Sequence, residues 1–174
     1  MPRYRRHYQQ GHTVFVTVVT QARQPWLADA AAVEVLLGAM RRVKSLYAFQ
    51  HRAHVVMPDH FHWMFDPAGA DFSAIVGAVK REVSWRVRWD ASGRHSRPAA
   101  SRLWQPRFYD HLIRDEADFF RHLDYLHFNP VHHGITASPA SYPHSSFAAW
   151  AERGVYDRNW GQQIPDTIQN MTLE

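Results

Sequence analysis

Two histidines, one tyrosine and one asparagine have types and spacing that could support metal-dependent chemistry. His60 and His62 are separated by a single residue, and Tyr125 and Asn129 are four residues apart. Side chains alternate along a β-strand, so a strand would place both imidazoles on one face, close enough to reach one metal ion. Side chains four apart on a helix share a face. Tyr125 would then lie one turn from an amide oxygen that can bind a divalent cation.

The chemistry that suits this set is attack on a phosphodiester. Tyrosine is a poor nucleophile near neutral pH because its reference pKa is about 10. It becomes effective when a metal polarises the electrophile and stabilises the developing charge. Each signal is weak alone, because a His-x-His pair is more often structural and a helical tyrosine more often lies in a core. The residues also leave open a metal-activated water as the nucleophile, with Tyr125 incidental.

Hydrophobic periodicity predicts the elements that must position these residues. Four strands are predicted, over residues 12–20, 50–57, 60–65 and 103–113. The short turn at Pro58 and Asp59 indicates an antiparallel hairpin, and Pro106 allows the fourth strand only an edge position or a late start. Helices are predicted over residues 29–47, 71–90 and 116–128. Asp29 is the expected N-cap of the first, and Asp71 or Ser73 that of the second. Asn129 and Pro130 should end or kink the third.

The resulting order, β-α-β-β-α-β-α, predicts an α+β fold: a ferredoxin-like antiparallel sheet with helices packed on one face. Phe61, Trp63 and Phe65 should face the helices, which leaves His60 and His62 on an open face. We expect one domain over residues 1–174. Residues 1–10 form a basic arm, and a C-terminal tail from about residue 136 contains a short helix near residues 147–151.

Positive charge is concentrated in the middle of the chain. Residues 80–114 contain nine Arg or Lys and three Asp or Glu, whereas the whole protein has a net charge of +4. A one-sided basic surface is typical of nucleic-acid binding. The candidate phosphate contacts are Arg3, Arg5, Arg6, Lys80, Arg81, Arg86, Arg88, Arg94 and Arg97. Trp85, Trp89 and Trp104 could stack on unpaired bases, although each tryptophan alone is more often a core residue.

The preference for arginine has two explanations. Lys44 and Lys80 are the only lysines. Arginine suits bidentate phosphate contacts, and a GC-rich genome also favours arginine codons. The clustering of the charges is the stronger argument for a nucleic-acid partner.

Several classes of protein are excluded. The absence of cysteine rules out disulfides and thiolate metal sites, so a metal would be held by His, carboxylate, amide or water. No run of eighteen apolar residues exists, so no membrane partner is expected. The basic N-terminus lacks the apolar stretch of a secretory signal. We therefore expect a cytoplasmic protein.

Three sequence blocks resemble a known family when they are taken together. Residues 57–62 (MPDHFH) resemble the His-hydrophobic-His (HUH) motif of single-strand DNA transposases. Residues 125–131 (YLHFNPV), followed by Gly134, resemble the nucleophile helix of those enzymes, and residues 104–114 resemble the preceding strand. Ser145 and Ser146 after Tyr142 also match. Over most of residues 10–150 the chain resembles the REP-associated tyrosine transposases, relatives of the single-tyrosine insertion-sequence transposases.

The resemblance implies a mechanism and a substrate. Tyr125 would attack the scissile phosphate, giving a 5′-phosphotyrosine and a free 3′-OH. His60, His62 and Asn129 would bind Mg²⁺ or Mn²⁺. Imidazole prefers Zn²⁺ or Mn²⁺, so Mg²⁺ rests on the resemblance. The implied substrate is single-stranded or hairpin DNA from repetitive extragenic palindromes (REP elements), cut by a monomer or a homodimer. The alternative function is a catalytically inactive protein that binds such DNA.

Two details stay open at the level of sequence. His127, His132 and His133 lie close to the nucleophile in sequence and are alternative ligands, although Asn129 has the better helical phase. Asp59 is either a turn former, which we favour, or a hydrogen-bond partner of a ligand histidine.

Overall fold

The described part of the chain contains four strands and four α-helices. The computed structural model describes residues 11–69, 71–88, 102–157, 159–169 and 171. In chain order the elements are β1 (Val14–Val19), α1 (Ala30–Lys44), β2 (Phe49–Val56), β3 (His60–Pro67), α2 (Phe72–Arg88), β4 (Tyr109–Leu112), α3 (Glu116–His132) and α4 (Phe147–Glu152). Among the residues described, no helix combines the length and apolar character needed to cross a membrane.

The sheet has the order β2-β3-β1-β4, and every neighbouring pair is antiparallel. This confirms the predicted ferredoxin-like α+β class. The edge strand β4 is shorter than predicted. Trp104, which precedes β4, pairs with Thr20 only through an isolated bridge. Pro106 has no backbone N–H and cannot donate a hydrogen bond to the neighbouring strand.

One face of the sheet packs against α1 and α2, as predicted. Phe61, Trp63 and Phe65 of β3 are fully buried there, together with alternate residues of β1 and the apolar stripes of both helices. Period-two alternation on β3 therefore separates these large side chains from His60 and His62, which point to the other side of the sheet.

The prediction that all helices lie on one face was wrong for α3. This helix and the C-terminal segment pack on the opposite face, where they bury Phe15, Met64 and Leu123 in a second core. The physical reason is that β1 and β2 also present apolar side chains to that side, and such a surface needs a cover. The short helix α4, close to the predicted position, belongs to this cover.

Side-chain caps start α1, α2 and α3, and α3 continues beyond its predicted end. Asp29, Asp71 and Asp115 each accept a hydrogen bond from a backbone amide in the first turn of their helix. Pro130 lies inside α3 rather than ending it. Near a helix end the missing proline amide costs only one bond, and the carbonyl of Asn129 still accepts the amide of His133 at 3.0 Å. Asn129 is therefore helical.

Candidate active site between β3 and α3

His60 and His62 are buried, and the Nδ1 atom of each ring takes part in a hydrogen bond. The imidazole centroids of His60 and His62 are 4.9 Å apart. His60 Nδ1 donates to Asp59 Oδ1 at 2.7 Å, and His62 Nδ1 shares a hydrogen bond with Thr17 Oγ1 at 2.8 Å. These contacts orient both rings so that Nε2 is the nitrogen suited to a metal. Both Nε2 atoms are shielded from solvent.

Asp59 acts on His60 as well as lying in the β2–β3 turn. Its other oxygen accepts a hydrogen bond from Arg23 at 3.0 Å. Burial alone would raise the pKa of Asp59, but the hydrogen bonds from His60 and Arg23 outweigh burial and lower it. A charged carboxylate next to Nδ1 keeps the proton on that nitrogen. Asp59 therefore has both roles that the sequence left open: it lies in the turn, and it is a hydrogen-bond partner of His60.

The helix α3 brings Tyr125 to this pair. The ring of Tyr125 lies edge-on to His62, with centroids 5.4 Å apart, and His133 lies 5.6 Å from His60. Asn129 stands midway between Tyr125 and His133 on the same helical face, and its Oδ1 is buried. The four residues singled out from the sequence thus lie on the facing sides of β3 and α3.

Of the three alternative histidines, only His133 approaches the pair. Both ring nitrogens of His127 are engaged elsewhere, by Tyr156 Oη at 3.3 Å and by Ser146 Oγ at 2.9 Å. Burial lowers the pKa of His127 to about 3. The exposed ring of His132 packs edge-on against His133, 5.4 Å away.

Access to Tyr125 is narrow. Only 6% of the residue is exposed, because Phe15 and the second core surround it. The tyrosine ring is therefore enclosed between the sheet and α3.

A second histidine-carboxylate group, which the sequence interpretation missed, lies between β4 and α3. His111, Asp118 and His122 place ligand-type atoms within 4.8 Å of one another. His111 Nε2 donates to Asp118 Oδ2 at 2.9 Å, and His122 Nδ1 donates to the carbonyl oxygen of Asp118 at 2.8 Å. The i, i+4 spacing of Asp118 and His122 was the available signal.

This second group suits hydrogen bonding better than metal binding. Asp118 Oδ2 also accepts the backbone amide of Arg114 at 3.0 Å and its Nε at 3.2 Å. Burial would raise the pKa of Asp118, but the hydrogen bonds from Arg114 and His111 lower it. The rings of His111 and His122 are nearly parallel, 4.3 Å apart. One ion cannot lie in both ring planes, so metal binding would require the rings to rotate.

The predicted DNA contacts on α2 fall into two groups. Two of the cations are engaged: Lys80 Nζ donates to the carbonyl of Gln105 at 2.8 Å, and Arg86 forms an ion pair with Glu82 at 2.7 Å. Arg81 and Trp85 are exposed, Trp85 by 60%. The remaining candidates lie outside the described residues: Arg3, Arg5, Arg6, Trp89, Arg94, Arg97 and the side chain of Arg88.

Trp104 does not fit the predicted role of a stacking platform. It is 5% exposed and packs edge-on against Trp26 at 5.2 Å and Phe61 at 5.7 Å. Its indole belongs to the first core, because the irregular segment before β4 folds over the end of the sheet. The ring face is therefore unavailable to a base.

Comparison with known proteins identifies several relatives. Residues 7–119 match the family described as "Transposase IS200 like". The chain is 33% identical to the REP-associated tyrosine transposase of Escherichia coli K12, with 95% of this chain and 94% of the relative covered. It is 31% identical to a putative REP-associated tyrosine transposase of Haemophilus influenzae, with coverage of 92% and 94%. A solved REP-associated tyrosine transposase, bound to a REP hairpin, superposes with a TM-score of 0.81 at 32% identity, over 95% of this chain and 94% of that one.

Proposed function

Because this chain belongs to the IS200-like family and is a REP-associated tyrosine transposase, we propose that it cuts and rejoins single-stranded DNA through Tyr125 in a metal-dependent reaction. The observation that carries the proposal is the placement of the Tyr125 ring directly against His62, one member of an oriented histidine pair. Nucleophile and candidate metal ligands thus face the same space.

The proposed step is a transesterification. The Tyr125 oxygen attacks the scissile phosphorus and loses its proton as the new bond forms. The bond from phosphorus to the 3′-oxygen breaks, and that oxygen takes up a proton. The products are a 5′-phosphotyrosine and a free 3′-OH. One phosphodiester replaces another, so attack by a 3′-OH on the phosphotyrosine rejoins strands without an external energy source.

The donor set fits a divalent cation. We propose that His60 and His62, through Nε2, and Asn129, through Oδ1, hold Mg²⁺ or Mn²⁺. A metal here would neutralise charge that develops on the phosphate. Hydrogen bonds at Nδ1 fix the orientation of both buried imidazoles, so that each can offer Nε2 as a ligand atom. These imidazoles suit Mn²⁺ better than Mg²⁺.

The proposed substrate is hairpin DNA with unpaired nucleotides beside the stem. One relative was solved with a REP hairpin. In this chain, Arg81, Arg102 and Arg107 are exposed cations near the strand end that carries His60. The contacts predicted for the arm and for residues 88–97 remain part of the proposal. One chain supplies Tyr125 and all three ligands, so a homodimer is not required for the chemistry. The cytoplasm, where the DNA is, is the proposed location.

Covalent trapping tests the proposal directly. The protein is incubated with 3′-labelled hairpin oligonucleotides from its own genome and Mn²⁺ or Mg²⁺, and denatured samples are examined for a shifted band. We expect a band in the wild type and none in Tyr125→Phe or in the His60→Ala, His62→Ala double variant. Tyr47→Phe, a tyrosine at the end of α1, is the matched control and should retain the band.

The other outcomes separate the alternatives. Cleavage that survives Tyr125→Phe would mean that a metal-activated water is the nucleophile. Tight DNA binding without an adduct, on any substrate and with either metal, would favour the inactive DNA-binding protein.

A further inference from the structure

A groove separates the C-terminal half of α2 from the segment that precedes β4. It has a volume of about 540 Å³, which is within the range of sites for small ligands. Trp85, Val87, Leu103 and Pro106 supply apolar walls. The positive charges are those of Lys80, Arg81 and Arg102. Among the lining residues that the structure describes, none carries a negative charge.

Trp85 is the most unusual residue of this groove. Its indole is 60% exposed, although a ring of this size normally gains much from burial. Arg81 lies one helical turn before it on the same face. A flat apolar ring beside guanidinium groups matches a nucleotide, because the base stacks on the ring and its phosphate meets the cations.

The groove lies at the same end of the sheet as His60. Lys80 Nζ donates to the carbonyl of Gln105 at 2.8 Å, and the Gln105 amide donates to the carbonyl of Val19, at the end of β1, at 3.0 Å. The next residue, Thr20, donates its amide to the carbonyl of Asp59 at 2.9 Å. A DNA strand crossing this end of the sheet would therefore pass both the groove and the strand end that carries His60.

We propose that this groove binds one unpaired nucleotide of the DNA strand, with its base stacked on Trp85 and its phosphate near Arg81 and Arg102. The inference rests on the proposed function, because it assumes that unpaired DNA is the substrate. It adds a binding site remote from the reacting phosphate, which sets the position of the strand relative to Tyr125. Stacking is tolerant of base identity, so this site recognises the unpaired state rather than one base.

The first test needs no variant at position 85. Hairpin oligonucleotides carry a single abasic site at each unpaired position in turn, and binding to Tyr125→Phe protein is measured in EDTA. We expect one position at which loss of the base weakens binding about tenfold. A flat profile across all unpaired positions would overturn the proposal.

Variants then assign that position to the groove. Trp85→Ala should bind intact DNA as weakly as DNA with the sensitive abasic site, so that the difference in affinity between the two disappears. Trp85→Phe should keep part of that difference. Leu46→Ala, another exposed apolar residue on a helix end away from the groove, should behave as the parent protein. An abasic profile unchanged in Trp85→Ala would refute the assignment. Binding in EDTA does not depend on adduct formation, so this result and the covalent assay can fail separately.

Discussion

Hydrogen bonds to Nδ1 determine what His60 and His62 can do. A neutral imidazole has one N–H and one lone pair, and the carboxylate of Asp59 draws the proton of His60 to Nδ1. The lone pair then lies on the buried Nε2, on the side of α3. Residues outside the proposed ligand set therefore determine which nitrogen each imidazole offers.

Asp59→Asn tests this control at the scale of one residue. An amide cannot supply the negative charge that holds the proton on Nδ1 and leaves the lone pair on Nε2. We expect Mn²⁺ affinity, measured by calorimetry without DNA, to fall about 10- to 100-fold. Asp66→Asn, an acid at the far end of β3 that pairs with Arg52, should leave the affinity unchanged. Equal affinities for both variants would show that Asp59 only shapes the turn.

At the scale of elements, Asp118 connects α3, the helix that carries Tyr125, to the edge strand β4. Its carboxylate accepts hydrogen bonds from His111 in β4 and from Arg114 in the connection, and it lies in the first turn of α3. A negative charge is also favourable at a helix N-terminus. Together with the N-cap Asp115, this side chain holds the start of α3, the helix that carries Tyr125.

Asp118→Ala should lower the free energy of unfolding by about 2 kcal/mol. This is below the cost of breaking a fully buried pair, because Arg114 is exposed and water can replace its partner. Urea denaturation measures the change. Glu116→Ala removes an exposed acid from the same helical turn and should cost far less. A loss under 0.5 kcal/mol for Asp118→Ala, on the order of a typical surface substitution, would contradict the anchoring role.

At the scale of the whole molecule, the C-terminal segment closes the second core over α3. Tyr156 and Thr167 both donate hydrogen bonds to Asp124, the residue next to Tyr125. His127 lies under the same cover and contacts Tyr156 and Ser146. Burial keeps His127 neutral in the folded protein, with a pKa of about 3, and burial likewise lowers the pKa of the nearby His54 to about 3.

These depressed pKa values predict loss of stability in acid. The unfolded chain binds protons at these imidazoles below its pKa of about 6.5, whereas the folded chain does not until about pH 3. The contribution of these two neutral histidines to the free energy of unfolding is therefore complete above pH 6.5 and falls as the pH drops toward 3. Each group contributes a slope of up to about 1.4 kcal/mol per pH unit. Urea denaturation should show that the free energy of unfolding changes less between pH 7 and pH 5 in His127→Gln than in the wild type. An identical change in both proteins would contradict the prediction.

The sequence by itself determined the local arrangement of the site. Alternation along β3 separates His60 and His62 from Phe61 and Trp63, and helical phase puts Asn129 on the side of Tyr125. Both follow from backbone periodicity, which is set by neighbours along the chain. The order of elements likewise led to the correct sheet class.

Only the tertiary structure decided which surfaces meet. Packing between distant segments places α3 on the second face of the sheet and buries Trp104 while Trp85 stays exposed. It also brings Asp59 into contact with both His60 and Arg23. Periodicity indicates which side chains share a face, but not what lies opposite them. Burial and hydrogen-bond partners depend on contacts across the fold, which the spacing of residues along one element does not contain.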